Sequence, residues 1–375
     1  MYALNEETRA LTDLVRRLVQ EHQMPLEARV LRGETLARRD YAPGTQAARA
    51  VGLWGLTAPP EFGGAGLSLV DKMAITEENF RCLTPLRFGG SALGPLYRLQ
   101  AEQRARYLDP IVEGRLSSCF AQTEPGGGGD PAGAILTHAR ETERGWVING
   151  AKIWISNFQE ADLVFVIART DKNKGASGIS MFAVEKNNPG MHAREVPMLG
   201  GFKTHQLSFS DCEVDALALI GGEGQGFKGA QQALSAARFD VAARALGVAQ
   251  RAYEMMVEHA KQRVAFGGPL SEKQAVQSMI VDSWIEIQQN RLMLYHCAAQ
   301  DDAGQDTRVQ AGMLKMLCTE MVDRVVDRAI QIHGAAGCTY ESPLAHWYDH
   351  QRMARIYEGP TDVHKYRVIA RALLA

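Results

Sequence analysis

Leu163-Val164-Phe165-Val166-Ile167 and Ile179-Ser180-Met181-Phe182-Ala183-Val184 decide the fold class. Both runs are short, rich in β-branched and aromatic residues, and bounded by turn formers, which is the signature of a strand. Trp146-Val147-Ile148, Ile153-Trp154-Ile155 and Leu207-Ser208-Phe209 share that texture, with the turn signals Asn149-Gly150 and Pro189-Gly190 separating runs. Because no helical period intervenes, the strands imply an antiparallel sheet or barrel rather than a parallel βαβ sheet.

On either side the period becomes helical. Leu11, Leu14, Val15, Leu18 and Val19 recur at helical spacing, as do stretches around 71–80 and 97–112. The segment Ala58-Pro59-Pro60-Glu61-Phe62-Gly63-Gly64-Ala65-Gly66 is too rich in Gly and Pro for a helix and reads as an ordered loop. After Gly226, residues Phe227, Ala230, Leu234, Ala237, Val241, Ala245, Val248 and Ala249 mark one face of a helix reaching the mid-260s. Helical patterns at 271–300 and 306–333 follow. A terminal pair closes the chain, its first helix capped at Ser342-Pro343-Leu344 and its second starting at Pro360 behind Gly359. The expected architecture is α+β and multidomain: an N-terminal helical domain (1–116), a central antiparallel β-barrel (117–222) and a C-terminal four-helix bundle (223–375).

Across 375 residues, 41 Lys plus Arg nearly balance 43 Asp plus Glu, and no basic run occurs. That balance argues against nucleic acid or an anionic membrane as a general partner. Cysteines at 82, 119, 212, 297, 318 and 338 lie far apart without a Cys-x-x-Cys pair, so they read as reduced thiols. Neither a signal-peptide core nor a membrane-length apolar run is present, and cytoplasmic localisation is the expectation.

The candidate chemistry begins at Arg355-Ile356-Tyr357-Glu358-Gly359-Pro360-Thr361. Glu358 lies in a turn between helices, with Trp347, Met353, Ile356 and Tyr357 available to exclude water. Burial raises a carboxyl pKa and a helix N-terminus lowers it, the balance that a general base requires. A carboxylate that merely compensates a helix dipole is the bland alternative.

Gly224-Gln225-Gly226-Phe227-Lys228-Gly229 satisfies GxGxxG, but the helix simply continues without a second parallel strand, so it reads as a helix entry and not a nicotinamide site. His346 and His350 share a helix face without a further ligand, so no metal site is expected, and these histidines, with His333 and His364, read as polar helix surface. Gln122-Thr123-Glu124-Pro125 followed by Gly126-Gly127-Gly128-Gly129-Asp130 is either a floppy linker or a backbone cradle for phosphate. Lys152-Ile153-Trp154-Ile155-Ser156-Asn157 either buries its Trp or lays it beside a planar heterocycle, with Ser156 donating to a ring nitrogen.

Taken in order, these stretches resemble the acyl-CoA dehydrogenase family over nearly the whole chain. Val51-Gly52-Leu53-Trp54-Gly55-Leu56 through Leu67 is similar to its N-terminal signature, Gln122-Thr123-Glu124-Pro125 to its glycine loop, and Trp154-Ile155-Ser156 to its flavin-contacting strand. Arg263-Val264-Ala265-Phe266-Gly267, Gln274 and Gln331-Ile332-His333-Gly334-Ala335 resemble its inter-subunit FAD elements, and Tyr357-Glu358-Gly359 its catalytic loop.

The resemblance implies FAD between barrel and bundle, with Phe120, Gln122, Thr123, Gly128, Gly129, Trp154, Ile155, Ser156 and Thr361 approaching it. Arg263, Phe266, Gln274, Gln331, Gly334 and Ala335 would reach the FAD of a neighbouring subunit, making a homodimer or homotetramer. Glu358 would take the α-proton of an acyl-CoA while a hydride passes to flavin N5, giving a trans-2-enoyl-CoA. Arg238 and Gly359 would line the substrate site, and the Glu358 N–H with a ribityl hydroxyl would hold the thioester oxygen. Some relatives carry the base one residue before the helix arginine; here that residue is Ala237, which leaves Glu358 as the matching base. Ser235, Gly129, Pro360 and Ala335 depart from the family pattern. An electron-transferring flavoprotein is the implied acceptor. A same-fold flavin oxidase and a non-catalytic assembly protein are the alternatives.

Overall fold

The computed structural model describes residues 3–130 and 133–374, with 232 and 233 described by backbone alone. Helices α1 (Glu6–Leu18), α2 (Met24–Leu31), α3 (Ala42–Ala50), α4 (Leu69–Asn79) and the short α5 (Ala101–Gln103) and α6 (Asp109–Val112) precede the strands. Strands β1 (Ser118–Ala121), β2 (His138–Thr142), β3 (Gly145–Ile155), β4 (Leu163–Arg169), β5 (Ile179–Glu185), β6 (Met191–Pro197), β7 (Lys203–Asp215) and β8 (Leu219–Ile220) follow. Then come α7 (Gly226–Gln262), a hairpin of β9 (Val264–Ala265) and β10 (Gly268–Pro269), α8 (Gln274–Asp302), α9 (Arg308–His333), α10 (Pro343–Ala354) and the short α11 (Thr361–Val363) and α12 (Ala370–Leu374). Helical, sheet and helical regions thus occur in the expected order, and no described helix is long and apolar enough to cross a membrane.

By compactness the chain forms two units that interleave in sequence. One comprises the residues up to Leu53, Leu67–Phe88 and the chain from Ser235 onward. Its core joins Met73 and Ala74 of α4 to Phe239, Ala242, Leu246 and Ala249 of α7, and to Leu294, Leu314, Val322 and Val325 of α8 and α9. Small side chains let these helices approach closely, and a Cβ at Gly247 would strike the backbone oxygen of Glu77. Polar ties orient α4 within this core. Glu77 receives Arg291 Nε at 2.8 Å and the Tyr295 hydroxyl at 2.9 Å, and the N-terminal amides of Leu69 and Val70 donate to the Asp302 carboxylate at 2.6 and 3.1 Å. Ser68 and Asp71 close a capping box on the same helix.

The other unit, Trp54–Gly66 with Gly89–Leu234, is built on an eight-stranded sheet in the order β6-β7-β3-β2-β4-β5-β8, with β1 on β4. β4 is buried on both faces. Val164, Val166 and Ala168 join a cluster formed by the strands and one connecting turn, so the sheet folds back on itself; Leu163, Phe165 and Ile167 face Tyr107, Leu108 and Ile111 around α6. That double burial is why its sequence is an unbroken apolar run.

The sheet differs from the expectation of a purely antiparallel barrel, because β1 runs parallel to β4 from Ser118↔Leu163 to Ala121↔Val166, and β2 meets β4 in parallel at His138↔Arg169. Nor does Asn149-Gly150 make a hairpin turn. It is a bulge within one long strand, where the Asn149 side chain accepts from the Asp211 N–H at 2.9 Å and Gly150 takes a φ of 145° against Thr137. Close approach also accounts for the GxGxxG match. Cβ atoms at Gly224 and Gly226 would collide with backbone of Ser177 and Ser180, and one at Gly229 would sit 2.6 Å from Pro95.

Candidate active site

In the first unit, α10 ends at Ala354 and the chain turns sharply through Arg355–Glu358. Glu358 has a φ of 54°, followed by Gly359 at 97°. A left-handed residue with a side chain costs about 1–2 kcal/mol, so the surroundings must hold it there. They do so through its carbonyl, which accepts from His364 Nε2 at 3.1 Å and Arg238 Nε at 3.4 Å. Lys315 Nζ donates to the next carbonyl, that of Gly359, at 2.7 Å. The Thr361 N–H bonds back to the Arg355 oxygen at 3.1 Å.

These anchors leave the carboxyl itself free for chemistry. Glu358 Oε2 is buried and makes no hydrogen bond. Burial pushes its pKa above the ordinary carboxylate range, while Arg238, Lys315 and Arg244 pull it back. Cations on neighbouring helices therefore contribute to the restraint. Trp347 and Met353 are buried as expected, Ile356 is 57% exposed and does not close the site within this chain, and Tyr357 is partly exposed with its ring centroid 5.9 Å from Lys315 Nζ.

Two residues of this cluster were missed from the sequence. Lys315 is fully buried, and burial pushes its pKa down to about 7 against the pull of Glu358. His364 is not polar helix surface: it is fully buried, and burial beside Arg238 and Lys315 lowers its pKa to about 4. The ring is therefore neutral at pH 7, with its proton on the Nε2 that faces the Glu358 carbonyl and with Nδ1 unpartnered. A Cβ at Gly359 would lie 2.7 Å from His364 Nε2, and one at Gly312 would lie 3.1 Å from Nδ1, so glycines on two elements make room for the ring.

In the second unit the glycine loop is pinned from behind. Glu124 accepts from the backbone N–H groups of Leu136 at 2.7 Å and Thr137 at 2.9 Å, and pairs with the fully buried Lys152 at 2.7 Å. Lys152 also donates to the Gln122 carbonyl at 3.0 Å, and Thr123 accepts from the Ile153 N–H at 2.8 Å. Burial brings the Lys152 pKa down to about 8. Burial alone would raise that of Glu124, but Lys152 and the amide donors hold it below the ordinary value. This pair was not foreseen as part of a site, although a lysine within a buried strand was a visible signal.

The outward face of the loop is open. Gly126 and Gly129 take φ of 84°, and a Cβ at Gly126 or Gly128 would touch nothing within 4 Å. Gln122 Oε1 is buried without a partner. Trp154 is not buried: a register shift between Lys152 and Ile155 turns it out at a φ of 62°, leaving it 50% exposed beside exposed Ser156, while Ile155 is buried and Phe120 partly so. An aromatic face, an orphaned acceptor and a cradle of bare amides fit a large planar cofactor bearing phosphates. Nearby, Arg169, Lys172 and His138 line a cleft of about 630 Å³.

Arg263, Phe266, Gln274, Gln331, Gly334 and Ala335 are all exposed in the first unit, around the β9–β10 hairpin and the C-terminal end of α9. Phe266, at a φ of 53°, is 96% exposed. Among the described residues, none of the six hydrogen-bonds to the Glu358 loop. The departure at Ala335 brings no backbone strain, since Gly334 takes the positive φ of that turn and Ala335 does not. The Thr361 hydroxyl is buried without a partner.

Comparison with known proteins covers nearly the whole chain. Residues 5–115, 119–212 and 224–374 match the family models described as acyl-CoA dehydrogenase N-terminal, middle and C-terminal domains. The (R)-benzylsuccinyl-CoA dehydrogenase of Thauera aromatica is 33% identical over 99% of this chain and 97% of its own length. The acryloyl-CoA reductase (NADH) of Anaerotignum propionicum is 32% identical over 100% and 96%. The structure of butyryl-CoA dehydrogenase from Megasphaera elsdenii superposes with a TM-score of 0.88 at 28% identity, covering 100% of both chains. Similar solved structures include FAD complexes.

Proposed function

The chain belongs to the acyl-CoA dehydrogenase family, FAD-dependent oxidoreductases acting on CoA thioesters, and from that premise we propose that it desaturates the Cα–Cβ bond of an acyl-CoA with Glu358 as the base. The observation that supports this most is the Glu358 turn: a buried, unpartnered carboxyl on a backbone fixed by His364, Arg238 and Lys315. Burial strengthens the carboxylate as a base, and the neighbouring cations oppose that rise in its pKa.

The α-proton moves to the free Glu358 oxygen, and the C–H electron pair becomes the new C=C bond as a hydride leaves the β-carbon. FAD, when bound, supplies the acceptor for that hydride. Gln122, Thr123, Trp154, Ser156 and the bare amides of Gly128 and Gly129 would hold the cofactor. The left-handed turn presents the N–H of Glu358 as a donor for the thioester oxygen, which gains charge as the proton leaves. The exposed residues from Arg263 to Ala335 would complete the cofactor site of a second copy, making a homodimer or homotetramer. An electron-transferring flavoprotein would take up the electrons.

The test is Glu358→Gln. The variant should remain yellow with FAD but bleach anaerobically with acyl-CoA some 10²–10⁴-fold more slowly, the usual worth of a general base. Bleaching at the parental rate would sink the assignment. Oxygen consumption during turnover without another acceptor would point to an oxidase instead, and a purified protein without flavin absorption to an assembly role.

A further inference from the structure

From Phe239 to Ala249, α7 is covered almost all round: Val241, Ala242, Ala243, Ala245, Leu246, Gly247 and Val248 are buried. Arg244 breaks the pattern, with 46% of its side chain exposed. At this one position the stretch is therefore uncovered, and the exposed group is a cation. The Arg244 guanidinium stands 4.7 Å from the centroid of the Phe80 ring and pairs with Asp240, which accepts from the Thr76 hydroxyl at 3.4 Å. Arg244 shares α7 with Arg238, whose Nε donates to the Glu358 carbonyl at 3.4 Å, and its charge lowers the Glu358 pKa.

We propose that the acyl group extends from Glu358 toward this part of α7 and that Arg244 binds a carboxylate at the end remote from the thioester, so that the substrate is the CoA half-thioester of a dicarboxylic acid. The inference rests on the dehydrogenase reading above and deepens it. An ordinary surface ion pair at i,i+4 spacing is the bland alternative, but such pairs lie on solvated helix faces, whereas here the residues on both sides are buried and an aromatic ring backs the cation. Asp240 engages Nη2 and steadies the guanidinium, and the remaining N–H donors can grip a second carboxylate. An alkyl chain laid against those donors would strip their water and return nothing. The charges are compatible as well: Arg238, Lys315 and Arg244 are the cations that lower the Glu358 pKa, and a substrate carboxylate at Arg244 would add an anion beside them.

Chain-matched pairs test this: valeryl-CoA against glutaryl-CoA and hexanoyl-CoA against adipoyl-CoA, compared by kcat/KM with the FAD-loaded protein. The carboxylated member of at least one pair should win by roughly tenfold or more. Arg244→Met should bring that ratio to about one or reverse it, and Arg244→Lys should keep part of the preference. A ratio within one preparation is insensitive to how much of the variant folds. Preference for the alkyl member in both pairs, or an unchanged ratio in Arg244→Met, overturns the assignment while leaving the dehydrogenase reading intact. If no thioester bleaches the flavin, that reading fails. Calorimetric binding of the same pairs to the Glu358→Gln holoprotein then decides on Arg244: tighter binding of the carboxylated member, lost in the Arg244→Met background, supports it, and equal binding refutes it.

Discussion

The Glu358 turn and the Gln122–Gly129 loop are both fixed by a buried lysine, yet they are finished to different degrees. At Glu358 the chain supplies the left-handed turn, three side-chain donors to the backbone and the cations that restrain the carboxyl. At the glycine loop it supplies only the back wall, Glu124 and Lys152, and leaves bare amides, an orphaned Gln122 oxygen and the face of Trp154 pointing outward. One region is a reactive group held ready; the other is half of an interface whose second half is a small molecule. The difference teaches where substitution should hurt chemistry and where it should hurt cofactor retention.

Lys152→Met should separate the two most sharply. It strands Glu124 in the interior with only its amide donors, and breaking a buried pair typically costs about 3–5 kcal/mol. Urea denaturation should show that loss, and FAD should dissociate more readily, whereas Glu358→Gln keeps its flavin. Adding Glu124→Gln to Lys152→Met should recover part of the stability, since the neutral amide still offers an acceptor to Leu136 or Thr137. Undiminished FAD affinity in Lys152→Met would mean that the back wall does not position the loop.

His364 gives the next effect, through pH. Its pKa is near 4 when folded but near 6.5 when unfolded, so between those values the unfolded chain holds more protons. Stability contributed by the neutral ring is complete above pH 6.5 and is lost as the pH falls toward 4, on the order of 3 kcal/mol in all. His364→Gln should flatten that part of the stability profile, which unfolding titrations in steps of pH can measure. An unchanged slope would assign the acid sensitivity elsewhere.

How far these regions could be anticipated follows from how local their signals are. The β4 run was legible because burial on both faces writes itself into consecutive residues. β6 was not, because His192, Ala193, Arg194 and Glu195 of this edge strand are all exposed and no apolar alternation survives. Asn149-Gly150 misled because a bulge and a hairpin use the same residue types, and only the partner strand decides between them. Glu358 was found from its turn and its family likeness. Its supports come from α7, α9 and the segment after α11, and sequence spacing does not bring those together. One signal was nevertheless present: Lys315 lies on the stripe Ala311, Leu314, Cys318, Val322, Val325 and Ala329, all buried, where a charge needs a partner. Lys152 in β3 poses the same question and receives the same kind of answer.

Lys315 offers the finest test of the comparison, because it separates anchoring from electrostatics. Its bond to the Gly359 carbonyl is an anchor, and its charge helps to keep Glu358 ionised. Lys315→Met removes both, and without the cation the Glu358 pKa must rise, so the pH at which activity appears should move upward. If charge dominates, kcat/KM falls on the order of tenfold on the acid side, each tenfold being about 1.4 kcal/mol, and converges on the parent at higher pH, where Lys315 is itself deprotonated near 7. If anchoring dominates, the loss is the same at every pH, because a displaced turn stays displaced whatever the charge. A pH profile of anaerobic flavin reduction distinguishes the two. A uniform loss would make Lys315 the counterpart of Lys152, a fastener beneath a loop, and would leave Arg238 and Arg244 as the cations that set the strength of the base.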